Sequence, residues 1–141
     1  MKKLIHSMGR RISRMFSSGR DDNKPWFNRE INEKMEKWLG EKGYVASDQK
    51  MSQVAESFGV SKDELSWYCR NTFGKSFLTL RKELRIREAR RLIAENPAVP
   101  LSNIGEKVGI NDKTNFRRQF YEVMGMTPQE FRDKINTIKA Y

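Results

Sequence analysis

From residue 26 onward apolar side chains recur every three to four positions, and no alternating apolar and polar run of strand length occurs, so the pattern predicts helices throughout. Trp26, Phe27, Ile31, Met35, Trp38 and Leu39 form the first stripe, behind an Asp22/Asn23 cap region and Pro25, and Gly40 and Gly43 close it. Ser52 is expected to cap a short segment that turns Val54, Ala55 and Phe58 inward and stops at Gly59. Ser61-Lys62-Asp63-Glu64 reads as a capping box that opens the next helix, packed through Leu65, Tyr68, Cys69 and Phe73 and ended by Gly74. Short helix, tight turn and second helix together give a helix-turn-helix outline. A longer helix follows over about residues 77–94, with Leu80, Leu84, Ala89, Leu92 and Ile93 apolar and Asn96-Pro97 as its stop.

The chain then repeats itself. Residues 102–110 (SNIGEKVGI) lie fifty positions after 52–60 (SQVAESFGV), which brings Gly59 onto Gly109. Past the turn the offset becomes fifty-one, pairing Leu65 with Phe116, Cys69 with Phe120, Gly74 with Gly125 and Arg81 with Arg132, so the extra residue falls in the turn. Thr127-Pro128-Gln129-Glu130 combines a cap, a proline at the first helical position and a glutamate three residues on, and opens a last helix. Two copies of a supersecondary unit are too few for a solenoid and suit a two-headed reader of a periodic polymer. The expected architecture is all-α: an N-terminal helix and two helix-turn-helix subdomains joined by a long connecting helix. The expected divisions are a basic amphipathic tail and linker over 1–24, the first helix, first helix-turn-helix and connecting helix over 25–95, and the second helix-turn-helix with a C-terminal helix over 96–141.

Charge sharpens the choice of partner. The chain of 141 residues carries a net +10, which points to a polyanion. Residues 1–20 hold Lys2, Lys3, Arg10, Arg11, Arg14 and Arg20 with no acid, leaving 22 cations against 18 acids over residues 21–141. One cysteine and one histidine exclude a disulfide framework, a zinc finger and most Cys-His or Ser-His catalytic arrangements. His6 lies in the tail and no glycine-rich phosphate loop follows a strand, so no catalytic set, metal site or cofactor is expected. The opening MKKLIHSMGRR lacks an unbroken apolar run of ~7 to 15 residues, and no stretch approaches the ~20 needed to span a bilayer. A cytoplasmic location is expected.

Residues 109–121 (GINDKTNFRRQFY), together with Gly125-Met126-Thr127-Pro128-Gln129-Glu130-Phe131-Arg132, resemble the second helix-turn-helix of the AraC/XylS transcription regulators. The ending GMTP-x-E-F-R is the most specific part of the likeness. Val60-Ser61, Leu65, Arg70 and Phe73-Gly74, followed by residues 84–93 (LRIREARRLI), are similar to that family's first unit and connecting helix. The resemblance spans roughly residues 45–135 and implies two helix-turn-helix subdomains on a long helix, with sequence-specific promoter binding. The chain departs from the family pattern at Gly105, Ile110 and Cys69, where Ala, Phe and Phe are usual.

A helix in the major groove reads bases from its N-terminal half, on the face opposite its core stripe. With Leu65 inward and ~100° per residue, Asp63, Trp67 and Arg70 point away from the core, flanked by Ser66. Asp63 suits a cytosine amino group, Trp67 a thymine methyl or sugar, and Arg70 a phosphate. The competing roles are a helix-dipole acid for Asp63 and ordinary packing for Trp67. In the second unit Phe116, Phe120 and Val123 point inward, while Thr114, Arg118 and Tyr121 point out, flanked by Lys113 and Arg117. Arg118 suits a bidentate guanine contact, Lys113 and Thr114 base edges, and Arg117 and Tyr121 the backbone; the alternative is a solvated basic face. Residues 75–91 add Lys75, Arg81, Lys82, Arg85, Arg87, Arg90 and Arg91 against Glu83 and Glu88, a mixture of phosphate contacts and plain helix surface. A connecting helix of about 18 residues measures ~27 Å, against ~34 Å between successive major-groove faces. One monomer is then sufficient for two-site contact, and the oligomeric state stays open.

Leu4, Ile5, Met8, Ile12, Met15 and Phe16 fall within an arc of ~120° on a helical wheel, with the cations of residues 2–14 outside it. Three roles are open to this stripe: contact with an anionic membrane surface, docking or pairing with protein, and a disordered arm that adds DNA affinity. Double-stranded DNA is the expected partner, with RNA polymerase or a sensor protein also open. The alternative function, from another class, is a membrane- or partner-tethered interaction module with weak DNA binding. Residues 1–50 are too short and too helical for a ligand-sensing domain, so a signal is expected through expression level, a partner or the N-terminal segment.

Overall fold

Ile31, Met35, Trp38 and Leu39 take one face of the first helix, α1 (Arg29–Gly40), out of water. In the computed structural model, which describes residues 29–140, a 3₁₀ turn (Gly43–Val45) follows, then α2 (Met51–Ser57), α3 (Lys62–Phe73), α4 (Phe77–Glu95), α5 (Leu101–Lys107), α6 (Lys113–Met124) and α7 (Pro128–Lys139). No strand occurs among the described residues, so the all-α expectation holds. The tail, the linker, Trp26, Phe27 and the Asp22/Asn23 cap lie outside the described residues.

The helices fall into two units, one holding residues 29–43 and 49–80 and the other 44–48 and 81–140. α4 passes from the first to the second after Leu80, so the connecting helix assigned whole to the first unit by sequence is shared between them.

In the first unit, α1 is held against α3, α4 and the turn after α2 by contacts of different kinds. The Trp38 and Phe77 rings lie 5.5 Å apart, Tyr68 donates from its hydroxyl to Asn32 Oδ1 at 3.0 Å, and Lys34 Nζ donates to the Phe58 carbonyl at 3.3 Å. Val54 and Ala55 of α2 and Leu65, Tyr68 and Cys69 of α3 are buried as the stripe predicts. Thr72 is buried where Phe73 was expected, and Phe73 is half-buried, meeting Tyr68 edge-on at 6.2 Å. The cap of α2 also differs from expectation. Lys50 occupies it, and its backbone N–H donates to Gln53 Oε1 at 2.7 Å, while Ser52 lies inside the first turn. A side chain three residues into the helix thereby satisfies the N–H of the cap residue itself. Ser61 does cap α3, its hydroxyl accepting from Glu64 N–H at 3.1 Å.

The second unit is built around Ile86, Ala89, Ile93, Ile104, Val108, Ile110, Phe116, Phe120 and Phe131, all buried. Phe120 stands between Phe116 and Phe131, with ring centroids 6.0 and 5.9 Å away, in the tilted arrangements aromatic pairs prefer. Burying each such ring or branched aliphatic chain contributes ~1.5–3 kcal/mol. The Thr127 box forms as expected: its hydroxyl accepts from Glu130 N–H at 3.1 Å, and the Glu130 carboxylate accepts from Thr127 N–H at 3.3 Å.

The internal repeat is visible in the backbone. Ser61 and Asp112, fifty-one positions apart, cap α3 and α6, and Asp112 Oδ1 accepts from Asn115 N–H at 2.7 Å. Gly74 and Gly125 end the same helices at φ 72° and 73°. Four residues, 58–61, join α2 to α3, whereas five, 108–112, join α5 to α6, which places the additional residue in the second turn. Both turns carry a glycine with positive φ, Gly59 at 71° and Gly109 at 89°, a conformation a side chain rarely tolerates.

Candidate nucleic-acid interface

Because Leu65, Cys69 and Tyr68 fix one side of α3 in the core, the opposite side must face solvent. Asp63, Trp67 and Arg70 are exposed there, and Ser66 is half-buried beside them. Trp67 keeps 53% of its surface accessible, which removes the packing role considered for it. Asp63 sits in the first turn of α3, where the helix dipole favours an acid irrespective of any ligand. α6 behaves in the same way: Phe116 and Phe120 are buried, Val123 is half-buried, and Lys113, Thr114, Arg117, Arg118 and Tyr121 are all exposed, Tyr121 at 57%.

The two faces correspond residue for residue. At the offset of fifty-one, Asp63 falls on Thr114, Ser66 on Arg117, Trp67 on Arg118 and Arg70 on Tyr121. Each helix is 12 residues long, or ~18 Å, and each stripe occupies the outer face of the helix that follows the turn.

The cations divide by what holds them. Arg85 is half-buried, with Nε donating to the Tyr44 carbonyl at 2.5 Å and Nη2 to the Ala46 carbonyl at 2.8 Å. Desolvation, with the charge of Arg81 as the smaller cause, lowers its pKa to about 10, so it stays protonated at neutral pH. Arg91 chelates Glu88, which is 5% exposed, and Glu95, each with a closest contact of 2.5 Å. These hydrogen bonds, led by those Arg91 donates to Glu88, raise the Arg91 pKa. Arg132 donates to the Val99 carbonyl. By contrast Arg70, Lys113 and Arg117 are exposed and make no ion pair with another described residue. Arg118 has only a loose partner, Glu122 at 3.8 Å, with both side chains largely in water, a pair worth at most ~1 kcal/mol and easily opened.

Glu122 was not singled out by sequence. It accepts from Lys82 Nζ at 3.2 Å and lies one helical turn beyond Arg118. Its spacing from Arg118 was legible as an i,i+4 pair, but Lys82 is 40 residues away and no local pattern signals that contact. The reading of residues 75–91 as phosphate contacts and bare surface needs correction for Lys82, Arg85 and Arg91, which bind groups of the protein itself. Their helix supports a fold and does not simply display charge.

Among the described residues no group of histidine, cysteine and acidic side chains could hold a metal ion, and no helix is long and apolar enough to cross a membrane. Cys69 is buried, and desolvation pushes its thiol up to about 12, the behaviour of a packing residue.

Residues 54–134 match a family model described as a helix-turn-helix domain. The arabinose operon regulatory protein of Escherichia coli (strain K12) is 32% identical over 92 residues, covering 62% of this chain and 31% of that protein. The chain therefore spans about a third of the length of this curated relative. Among solved structures, the C-terminal domain of AraT, a response regulator from Geobacillus stearothermophilus, superposes with a TM-score of 0.69 at 26% identity, covering 76% of this chain and 86% of that one. The C-terminal domain of the two-component response regulator yesN from Fusobacterium nucleatum gives a TM-score of 0.60 at 26% identity, covering 65% and 88%. Paired helix-turn-helix units, their outward stripes and these likenesses agree, and the chain belongs to the AraC-type family of helix-turn-helix DNA-binding transcription regulators.

Proposed function

We propose that this protein is a sequence-specific regulator of transcription that inserts α3 and α6 into two adjacent major-groove segments of one DNA duplex. The observation that carries the reading is the contrast among its cations: Arg70, Lys113 and Arg117 stand exposed without an acid partner among the described residues, while Arg85, Arg91 and Arg132 are bound internally. Exposed cations on a groove-sized helix release counterions on meeting phosphate, and side chains such as Arg118 and Trp67 between them can read base edges and methyl groups. Arg118 is the proposed guanine reader, Lys113 and Thr114 the flanking base contacts, Arg70, Arg117 and Tyr121 the backbone contacts. Asp63 and Ser66 complete the first stripe. Such a protein acts in the cytoplasm, on double-stranded DNA.

That two solved relatives are C-terminal domains of response regulators supports a sensor protein as the source of its signal. Selection of bound duplexes from a random pool at stated salt tests the core of this reading. The expected result is an enriched site with two blocks about one helical turn apart; enrichment of a single block, or none above the random background, overturns it.

A further inference from the structure

The second unit contains a pocket of about 310 Å³ between α5, the turn, α6 and the start of α7, close to the lower bound of ~300 Å³ for small-molecule sites. Its lining sets an apolar floor beside two cations, with neutral polar groups among them. Gly105, Ile110, Phe116 and Pro128 are buried and apolar, Ser102, Asn111, Thr127 and Gln129 add neutral polar groups, and the packing at Gly105 is so close that a Cβ there would lie 2.8 Å from the Ile110 carbonyl oxygen. Lys113 and Arg117, one helical turn apart on α6, line it as exposed cations, and no carboxylate contributes to the lining. A phosphate of DNA can satisfy the cations but not the apolar floor, because desolvating a phosphate against Ile110 and Phe116 is unfavourable. A flat apolar body with one negative charge satisfies both parts, its ring against Phe116 and its anion between Lys113 and Arg117.

From this arrangement we infer that the pocket binds a small aromatic carboxylate, and that the bound anion withdraws Lys113 and Arg117 from DNA. The second clause rests on the proposed DNA reading; the first does not. Occupancy then lowers DNA affinity by competition for two cations, giving the second unit a chemical input of its own.

The test is titration of the ¹⁵N-labelled full chain with sodium 2-naphthoate, followed by amide shifts, in parallel with uncharged 2-naphthalenemethanol. Saturable shifts centred on Gly105, Ile110, Lys113 and Phe116 are expected, with the alcohol binding at least tenfold more weakly. Lys113→Gln with Arg117→Gln should weaken naphthoate binding by tenfold or more, and Ser102→Phe, which fills the pocket from its α5 wall, should abolish it. A random-sequence duplex at low salt forms the third arm, and saturating naphthoate should weaken its binding to the wild-type chain several-fold. Shifts that are non-saturable, spread over both units, or equal for acid and alcohol overturn the site. Duplex-induced shifts along α6 without a naphthoate response overturn the pocket and leave the DNA reading standing. Naphthoate binding without any duplex response removes the DNA reading and leaves the pocket.

Discussion

Replacing Arg85 and Arg117 separately by glutamine should produce opposite defects from the same chemical change. Arg85 donates one hydrogen bond to each of the Tyr44 and Ala46 carbonyls, at 2.5 and 2.8 Å. Charged hydrogen bonds contribute roughly 1.5–3 kcal/mol each, so the pair is worth roughly 3–6 kcal/mol. Partial desolvation of the guanidinium, seen in its lowered pKa, offsets some of this and leaves a loss of roughly 2–4 kcal/mol for Arg85→Gln. Against a total of ~5–15 kcal/mol for a domain, that loss is plain in a urea melt. Arg117 has no such acceptors, so Arg117→Gln should stay within ~0.5 kcal/mol of wild type. Its defect belongs to DNA: uniformly weaker binding, with the slope of log K against log salt reduced by about 1. Both quantities come from the same preparations, by urea denaturation and by fluorescence anisotropy at four salt concentrations. If Arg85→Gln melts with wild-type stability, or Arg117→Gln is as destabilised as Arg85→Gln, the division of cations into internal and DNA-facing sets is wrong.

Three further expectations concern single sites. Arg118→Ala should cost ~1–3 kcal/mol in specific DNA binding and relax preference at one base position; equal weakening on every sequence in a competition assay would reduce Arg118 to a phosphate contact. Gly109→Ala should lose more stability than Gly59→Ala, although both glycines have positive φ, because a Cβ at 109 would lie 2.5 Å from the Val45 carbonyl oxygen while the nearest atom at 59 is Lys34 Nζ at 3.7 Å, an ordinary contact distance. Equal urea midpoints for the two variants would contradict this. Burial holds the Cys69 thiol and the Tyr44 phenol protonated, each with a pKa raised to about 12 from ordinary values of 9.0 and 10.0. A raised pKa gives stability that is complete below the ordinary value and lost as pH climbs through the raised one. Urea melts should therefore weaken from about pH 9 toward pH 12, and Cys69→Ala should delay the onset by about one pH unit; an unchanged onset would remove Cys69 from the alkaline transition.

Periodicity and turn chemistry were enough to place α3, α6 and α7, because their caps and stops are local: Ser61, Thr127, Gly74 and Gly125 act within a few residues of themselves. The outward stripes followed, since naming Leu65 or Phe116 as inward fixes every other residue of the helix by rotation. α4 resisted the same treatment. Ile86 is buried there although it lies off the Leu80–Leu84 stripe, and Glu88 is buried on that stripe although charged, since the helix serves one unit through Phe77 and Leu80 and the other through Ile86, Ala89 and Ile93. A single-face pattern cannot represent a helix with two sets of partners. Arg85 and Glu122 were illegible for a related reason: their partners, Tyr44, Ala46 and Lys82, lie about forty residues away, and nothing in the local sequence distinguishes a clamped cation from a solvated one.

The assignment of Tyr44–Asp48 to the second unit has a bearing on how such proteins can be recombined. Along the chain, membership switches at 43/44, at 48/49 and again after Leu80, so neither head is an uninterrupted cassette. A chimaera spliced within α4 would carry Arg85 away from the carbonyls it clamps, and would strip the Gly109 turn of the Val45 backbone packed against it. Transplanting the second head into an unrelated scaffold therefore requires a five-residue graft from within the first.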